Sequence, residues 1–153
     1  MRSPWFENDA IAQATLMAQT YRHWFGEDLV TPATGQSLEV AWFEAPRVIV
    51  AHGTEPDPIL NYGNRTALNL WETDWATLCI TPSRFTAEAP NREERARLLA
   101  AVSRDGFIKN YAGIRISTTG RRFRIARATV WNLIDARGVF RGQAATFSDW
   151  EYL

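Results

Sequence analysis

The apolar residues Ile11, Ala14, Ala18, Tyr21 and Phe25 recur at steps of three and four behind Asn8, and Gly26 follows them. That spacing predicts an amphipathic helix with an N-cap and a glycine stop. Met17 and Trp24 widen its apolar stripe beyond what one packing contact needs. Two uses of the stripe stay open, docking onto its own domain or docking plus a homodimer contact, because spacing does not choose a partner. The polar stretch Glu27 to Gln36, with Thr31-Pro32 and Gly35, reads as a connecting arm. Val48 to Ala51 and Ile59 to Tyr62 are short strand patterns, separated by the turn-rich His52-Gly53-Thr54-Glu55-Pro56-Asp57-Pro58. Asn64 stands where it caps a short helix through Ala67, Leu68 and Trp71, and a second helical piece covers Trp75 to Leu78. Past Pro82 and Pro90, residues 91–103 read as a helix with Arg95, Leu99 and Val102 on one side, ended by Gly106.

The last third reads as three strands, Phe107 to Ser117, Arg122 to Ile134 and Val139 to Phe147, joined by Thr118-Thr119-Gly120 and Asp135-Ala136-Arg137-Gly138. In the long strand Phe123, Ile125, Thr129, Trp131 and Leu133 share one parity and Arg122, Arg124 and Asn132 the other, so one face is assigned to the core. The order of elements predicts an α+β domain: a five-stranded antiparallel sheet with helices over one face, plus an extra N-terminal helix. The expected division is a helix and arm over residues 1–39 and a domain over residues 40–153.

Composition narrows the function classes. The chain has 153 residues and 46% hydrophobic residues, enough for one core. Seventeen basic residues balance seventeen acidic ones, so net charge gives no reason to expect nucleic acid or a membrane surface as partner. No long apolar run reads as a membrane span or a secretory leader, and the single Cys79 closes no internal disulfide, which together point to a cytoplasmic protein. Seven tryptophans in so short a chain point to an aromatic core or pocket wall, where function is to be sought.

Several motifs in fixed order carry a family resemblance. Phe43-Glu44-Ala45-Pro46, the turn from His52 to Pro58, Asn61-Tyr62-Gly63-Asn64, Pro82-Ser83-Arg84, Gly113-Ile114-Arg115-Ile116-Ser117 and Trp131-Asn132-Leu133 resemble the bacterial MEKHLA-domain proteins over roughly residues 42–150. That family is related to PAS domains, which implies a sheet wrapped around a small-molecule cavity roofed by helices and coupled to flanking helices. Ser83-Arg84-Phe85 is similar to the cysteine-arginine-phenylalanine run of flavin-binding LOV domains, Asn110-Tyr111 to their asparagine-tyrosine, and Gln143 to their last-strand glutamine. The resemblance makes flavin a candidate cofactor. Ser83 replaces the reactive cysteine, so no cysteinyl-flavin photochemistry is expected, and Phe123-Arg124 is followed by Ile125 where LOV domains carry a second asparagine.

The chemistry left by the residues themselves is sparse. His52 with Glu55 and Asp57 is the one cluster resembling a metal or acid–base site, but the same turn residues serve hairpin geometry, and no metal ligand set or catalytic residue is assigned. Seven arginines fall between Arg115 and Arg141 against the single Asp135, a pattern that suits a solvated sheet face and also a contact with protein or nucleic acid. Arg127 and Arg141 share the parity of the inward residues Ile125 and Gln143, and an unpaired cation facing an apolar interior calls for an anionic ligand group. Arg84 joins them through the LOV-like motif. The expected cavity is therefore formed by Trp71, Ser83, Arg84, Asn110, Phe123, Arg127, Trp131, Arg141 and Gln143, and the expected function is non-catalytic sensing of a small, anionic molecule by a homodimer joined through its N-terminal helix. The alternatives are a cavity-based enzyme using Glu72 or Asp74 of the helical roof, or an interaction module using the arginine-rich face.

Overall fold

The structure, a computed structural model, describes residues 2–153. After a 3-10 turn at Pro4–Phe6 come α1 (Asn8–Phe25), α2 (Leu38–Phe43), β1 (Val48–His52), β2 (Leu60–Gly63), α3 (Arg65–Trp71) and α4 (Trp75–Leu78). A second 3-10 turn at Ser83–Thr86 leads to α5 (Ala89–Asp105), followed by β3 (Phe107–Ile116), β4 (Arg122–Ile134), β5 (Phe140–Phe147) and β6 (Asp149–Tyr152). The strands form one antiparallel sheet in the order β2-β1-β5-β4-β3, and β6 continues beyond β5 to pair with the first half of β4. The predicted α+β architecture and five-strand sheet are present, with β6 as a sixth strand. The early hairpin β1–β2 docks beside β5, and this crossover puts His52, Gln143 and Asn132 side by side on three neighbouring strands.

Local sequence explains why the hairpin runs into helix at a fixed angle. The buried Asn64 accepts from the backbone N–H of Ala67, capping α3 as expected, and from that of Ile49 on β1, both at 3.1 Å. Its amide donates to the carbonyls of Trp42 and Arg47 at 3.2 and 2.7 Å. One side chain thus ties α2, β1 and α3 together. At the other predicted cap the structure differs by one residue: α1 begins at Asn8, and Glu7 before it makes no side-chain cap. The short helix α2 lies where the pattern gave no element, and it buries Trp42 and Phe43.

The single-parity reading of β4 holds only to Ile125. Pairing with β3 shifts register between Gly113, opposite Ile125, and Tyr111, opposite Ala128, and Arg127 inside this bulge takes a left-handed φ of 53°. Past the bulge the faces exchange. Phe123, Ile125, Ala128 and Val130 line one core with α3 and α5, whereas Trp131 and Leu133 line a second core with Met17, Tyr21 and Trp42. Both faces of the second half of β4 are buried, because α1 covers the outer side of the sheet. The Trp131 indole donates to Thr20 Oγ1 at 3.0 Å, and the Trp24 indole donates to the Asn132 carbonyl at 3.0 Å, so docking of α1 is sealed by hydrogen bonds as well as packing. The stripe that left docking and dimerisation open is largely occupied within the chain.

Asn64→Ala strands four backbone groups, most of them buried, and is expected to cost about 3 kcal/mol in a denaturant titration. At the bulge, Arg127→Gly is expected to stay within about 0.5 kcal/mol of the parent, while Arg127→Val, whose branched side chain resists a left-handed backbone, is expected to cost more than about 1 kcal/mol.

Candidate functional site

Between the inner sheet face and the helices lies a cavity of about 60 Å³, walled by residues of β1, β2, β3, β4 and β5 and roofed by α3 and α5. Its walls are chiefly aliphatic and aromatic, including Val50, Leu60, Leu98, Ile125, Val130 and Phe147. The polar groups that reach it are His52, Trp71, Thr86, Arg95, Tyr111, Arg115 and Gln143.

Two of these belong to a continuous polar row. The Asn132 amide donates to the carbonyls of Val102 and Ser103 on α5, at 2.9 and 3.3 Å, which leaves its Oδ1 as the acceptor for Gln143 Nε2 at 3.1 Å. Gln143 Nε2 also reaches the Leu99 carbonyl and Ser103 Oγ, each at 3.1 Å. Gln143 Oε1 then faces His52 Nε2 at 3.1 Å, and His52 Nδ1 lies 3.1 Å from Ser83 Oγ. Donor and acceptor bookkeeping along the row fixes His52 as the Nε2–H tautomer, accepting from the Ser83 hydroxyl. Burial, reinforced by the Arg95 charge, pushes the imidazole down to about 4, so it is neutral at neutral pH.

Ser83, His52 and Gln143 superficially resemble a nucleophile, base and orienting group. Gln143 supplies an amide oxygen in place of a carboxylate, the imidazole is a weak base, and Ser83 is 1% exposed and off the cavity wall. The row is a structural staple. Glu72 and Asp74 lie outside the cavity: Glu72 accepts from Ser117 Oγ at 3.1 Å, and Asp74 caps α4 by accepting from the Thr77 N–H at 2.8 Å.

The second polar group of the cavity is cationic. Arg115 is 5% exposed; its Nη2 donates to the Tyr111 hydroxyl at 3.0 Å and its Nη1 to the Ile114 carbonyl at 2.8 Å. The Tyr111 hydroxyl donates in turn to Glu94 at 2.8 Å. Gly113 lies under this cluster, and a Cβ there would collide with the Tyr111 hydroxyl. Half-buried Arg95 projects from α5 toward the same cavity, and among the described residues neither Arg95 nor Arg115 has a carboxylate within ion-pair distance. Desolvation first, and then the Arg115 charge, lower Arg95 to about 10, still cationic at neutral pH. The indole N–H of Trp71, on a residue 7% exposed, is buried without a partner on the same cavity wall.

The sequence-predicted site residues divide into three groups. Trp71 and Gln143 line the cavity; Ser83 holds His52 from behind, and Phe123 packs edge-on to Trp71 with ring centroids 5.5 Å apart. Trp131 lies on the opposite sheet face against α1. The remaining four face solvent. Arg84 pairs with Asp57 at 3.2 Å, and Asn110 is exposed on β3 with a φ of 58°. Arg127 and Arg141 do not point inward: their side chains are 72% and 58% exposed and pair with Asp149 and Asp135 at 2.8 and 3.0 Å. Both sit at register shifts, Arg141 where Leu133 faces Gly142 but Ile134 faces Phe140, so strict alternation assigned each to the wrong side. Of the polar groups that reach the cavity, His52, Thr86, Arg95, Tyr111 and Arg115 are those that sequence reasoning did not select. The available signal was Arg95 on the apolar side of its helix with Leu99 and Val102. His52 turns in toward Ser83 and Gln143, while Glu55 accepts from the Ile59 backbone N–H, so the suspected acid–base turn is not assembled. No group of three metal-ligating side chains occurs among the described residues.

The MEKHLA domain family model matches residues 11–152. Among curated proteins, the Arabidopsis thaliana homeobox-leucine zipper proteins REVOLUTA and ATHB-9 are 24% and 23% identical over 132 and 130 residues, each match covering 84% of this chain. The matched region is 16% of either plant protein's length, so the likeness concerns one domain of each, and it does not extend to the bacterial source that the motifs suggested. Among solved structures, a PAS domain from Colwellia psychrerythraea superposes with a TM-score of 0.62 at 12% identity, covering 74% of this chain and 92% of that one. The LOV domain of an Erythrobacter litoralis blue-light activated histidine kinase gives 0.58 at 14% identity, covering 72% and 98%. These likenesses show the PAS fold. No helix among the described residues is long and apolar enough to cross a membrane.

The residues present do not fit the flavin that LOV domains carry. About 60 Å³ is well below the roughly 300–1,000 Å³ of pockets that enclose drug-sized ligands. Ser83 offers no thiol, Asn110 lies outside, and the Gln143 amide is spent on His52 and α5.

Because the folded-state pKa of His52 is depressed, the stability tied to its neutral form is present above pH 6.5 and is lost as pH falls toward 4. Between pH 7.5 and 4.5 the parent is expected to lose about 2.5 kcal/mol more than His52→Gln, read from denaturant titrations at each pH.

Proposed function

The chain belongs to the MEKHLA domain family, and from that premise we propose that it is a PAS-like sensory domain that binds a small anionic molecule, without catalysis, in the cavity between sheet and helices. One observation carries the reading: the buried Arg115 and the facing Arg95 border an apolar cavity, and among the described residues no carboxylate lies within ion-pair distance of either. Burying a cation costs several kcal/mol unless something compensates, and Tyr111 with one carbonyl is a partial answer. A ligand anion completes it. The Trp71 indole N–H, on a residue of the same wall, is a buried donor without a partner among the described residues.

The route for a signal follows from which elements hold the ligand. Arg95 belongs to α5, whose buried side chains are only Leu98 and Val102 and whose carbonyls of Leu99, Val102 and Ser103 are held by Gln143 and Asn132. An anion drawing Arg95 toward Arg115 on β3 pulls α5 against those bonds, and the helix moves relative to the sheet. The enzyme alternative called for an interior carboxylate, and among the described residues no aspartate or glutamate lines the cavity. For the interaction-module alternative, three of the seven arginines already pair with surface acids, Arg122 with Glu88, Arg127 with Asp149 and Arg141 with Asp135, which lowers the charge that face offers to a partner.

A thermal-shift panel of small anions and neutral analogues is the direct test, with native mass spectrometry of freshly purified protein reporting any retained molecule. At about a hundredfold excess over its Kd, a bound anion is expected to stabilise the parent by about 2.7 kcal/mol. Ala128→Leu, which places three carbon atoms into the cavity wall, is expected to abolish that response. A parent that responds to nothing, or only as Ala128→Leu does, contradicts the proposal.

A further inference from the structure

We propose that the ligand is a short-chain aliphatic carboxylate, its oxygens held between Arg95 and Arg115 and its hydrocarbon tail in the cavity; this rests on the ligand-binding reading above. The head group follows from the donors. A guanidinium carries five N–H donors in a planar fork suited to two carboxylate oxygens. Arg115 spends donors on the Ile114 carbonyl and the Tyr111 hydroxyl and keeps others, while Arg95 makes no ion pair among the described residues. Glu94, on the same helix as Arg95, is engaged by the Tyr111 hydroxyl at 2.8 Å. Two cations with no acid of their own leave a net positive mouth.

The tail follows from the remaining walls. Val50, Leu98, Ile125, Val130 and Phe147 offer no hydrogen bond from their side chains, so the buried end of the ligand is hydrocarbon. Its length follows from volume. An apolar cavity of about 150 Å³ takes up benzene, so about 60 Å³ admits a tail of roughly two to four carbons. A phosphate monoester brings a polar body that these walls cannot solvate, and a long fatty acid has nowhere to lie.

The test uses isothermal titration of the full chain at constant ionic strength with sodium propionate, butyrate and octanoate, butyramide, 1-butanol and inorganic phosphate. Propionate or butyrate is expected to bind at least tenfold more tightly than butyramide, octanoate or phosphate. Arg95→Met is expected to weaken the short acid at least tenfold while leaving 1-butanol binding within twofold, and Arg95→Lys to recover part of the loss. Arg95 is half-buried and removable; Arg115→Met makes the same test where circular dichroism shows that variant folded. Butyramide equalling butyrate, phosphate exceeding it, or Arg95→Met binding butyrate as the parent does overturns the carboxylate assignment and leaves the cavity reading standing. If neither acids nor 1-butanol bind the parent, the cavity reading falls with it.

Discussion

The exchange of faces along β4 is the constraint on which this molecule depends. A strand of 13 residues in strict alternation presents one face to one core. The bulge at Arg127 lets the same strand put Phe123, Ile125, Ala128 and Val130 into the inner core, the last three of them on the cavity wall, and then receive α1 on Trp131 and Leu133. The left-handed backbone at Arg127 is a local cost, set against burial of two apolar surfaces where an unbulged strand buries one. The outward turn of the Arg127 side chain, onto Asp149, is a by-product of that geometry.

The polar row across β1, β5 and β4 does for position what the bulge does for burial. Hydrophobic packing fixes how much surface is hidden but tolerates sliding; hydrogen bonds of defined direction do not. Asn132, Gln143, His52 and Ser83 each have one role in the row, so strand register, the seat of α5 and the turn carrying Ser83 are set together. The roof over the cavity is tied to the sheet by bonds to helix carbonyls and by few buried side chains. A roof so held is aligned with its sheet and still free to respond to a charge at Arg95.

The fold was legible because its signals are local. Asn64 before an apolar run, glycines after helices, and turn residues between β-branched runs each state their structure within a few residues, and the family resemblance placed these pieces in a PAS-like order. The site was legible in part. Trp71 and Gln143 were found through tryptophan abundance and motif likeness, whereas Arg127 and Arg141 were misplaced because a bulge adds one residue and inverts every parity argument beyond it. The cations that reach the cavity are Arg95 and Arg115, whereas Arg84, Arg127 and Arg141, expected there from motif and parity, pair with surface carboxylates.

By itself the sequence determined the element types, their order and the need for an aromatic-rich interior, since periodicity, capping and turn chemistry act over a few residues. Only the tertiary structure decided which residues meet. His52 and Ser83 are 31 positions apart, His52 and Gln143 are 91 apart, and Trp131 finds Thr20 across 111. Such contacts follow from strand order and register, which depend on the whole chain closing at once, and no local pattern encodes them.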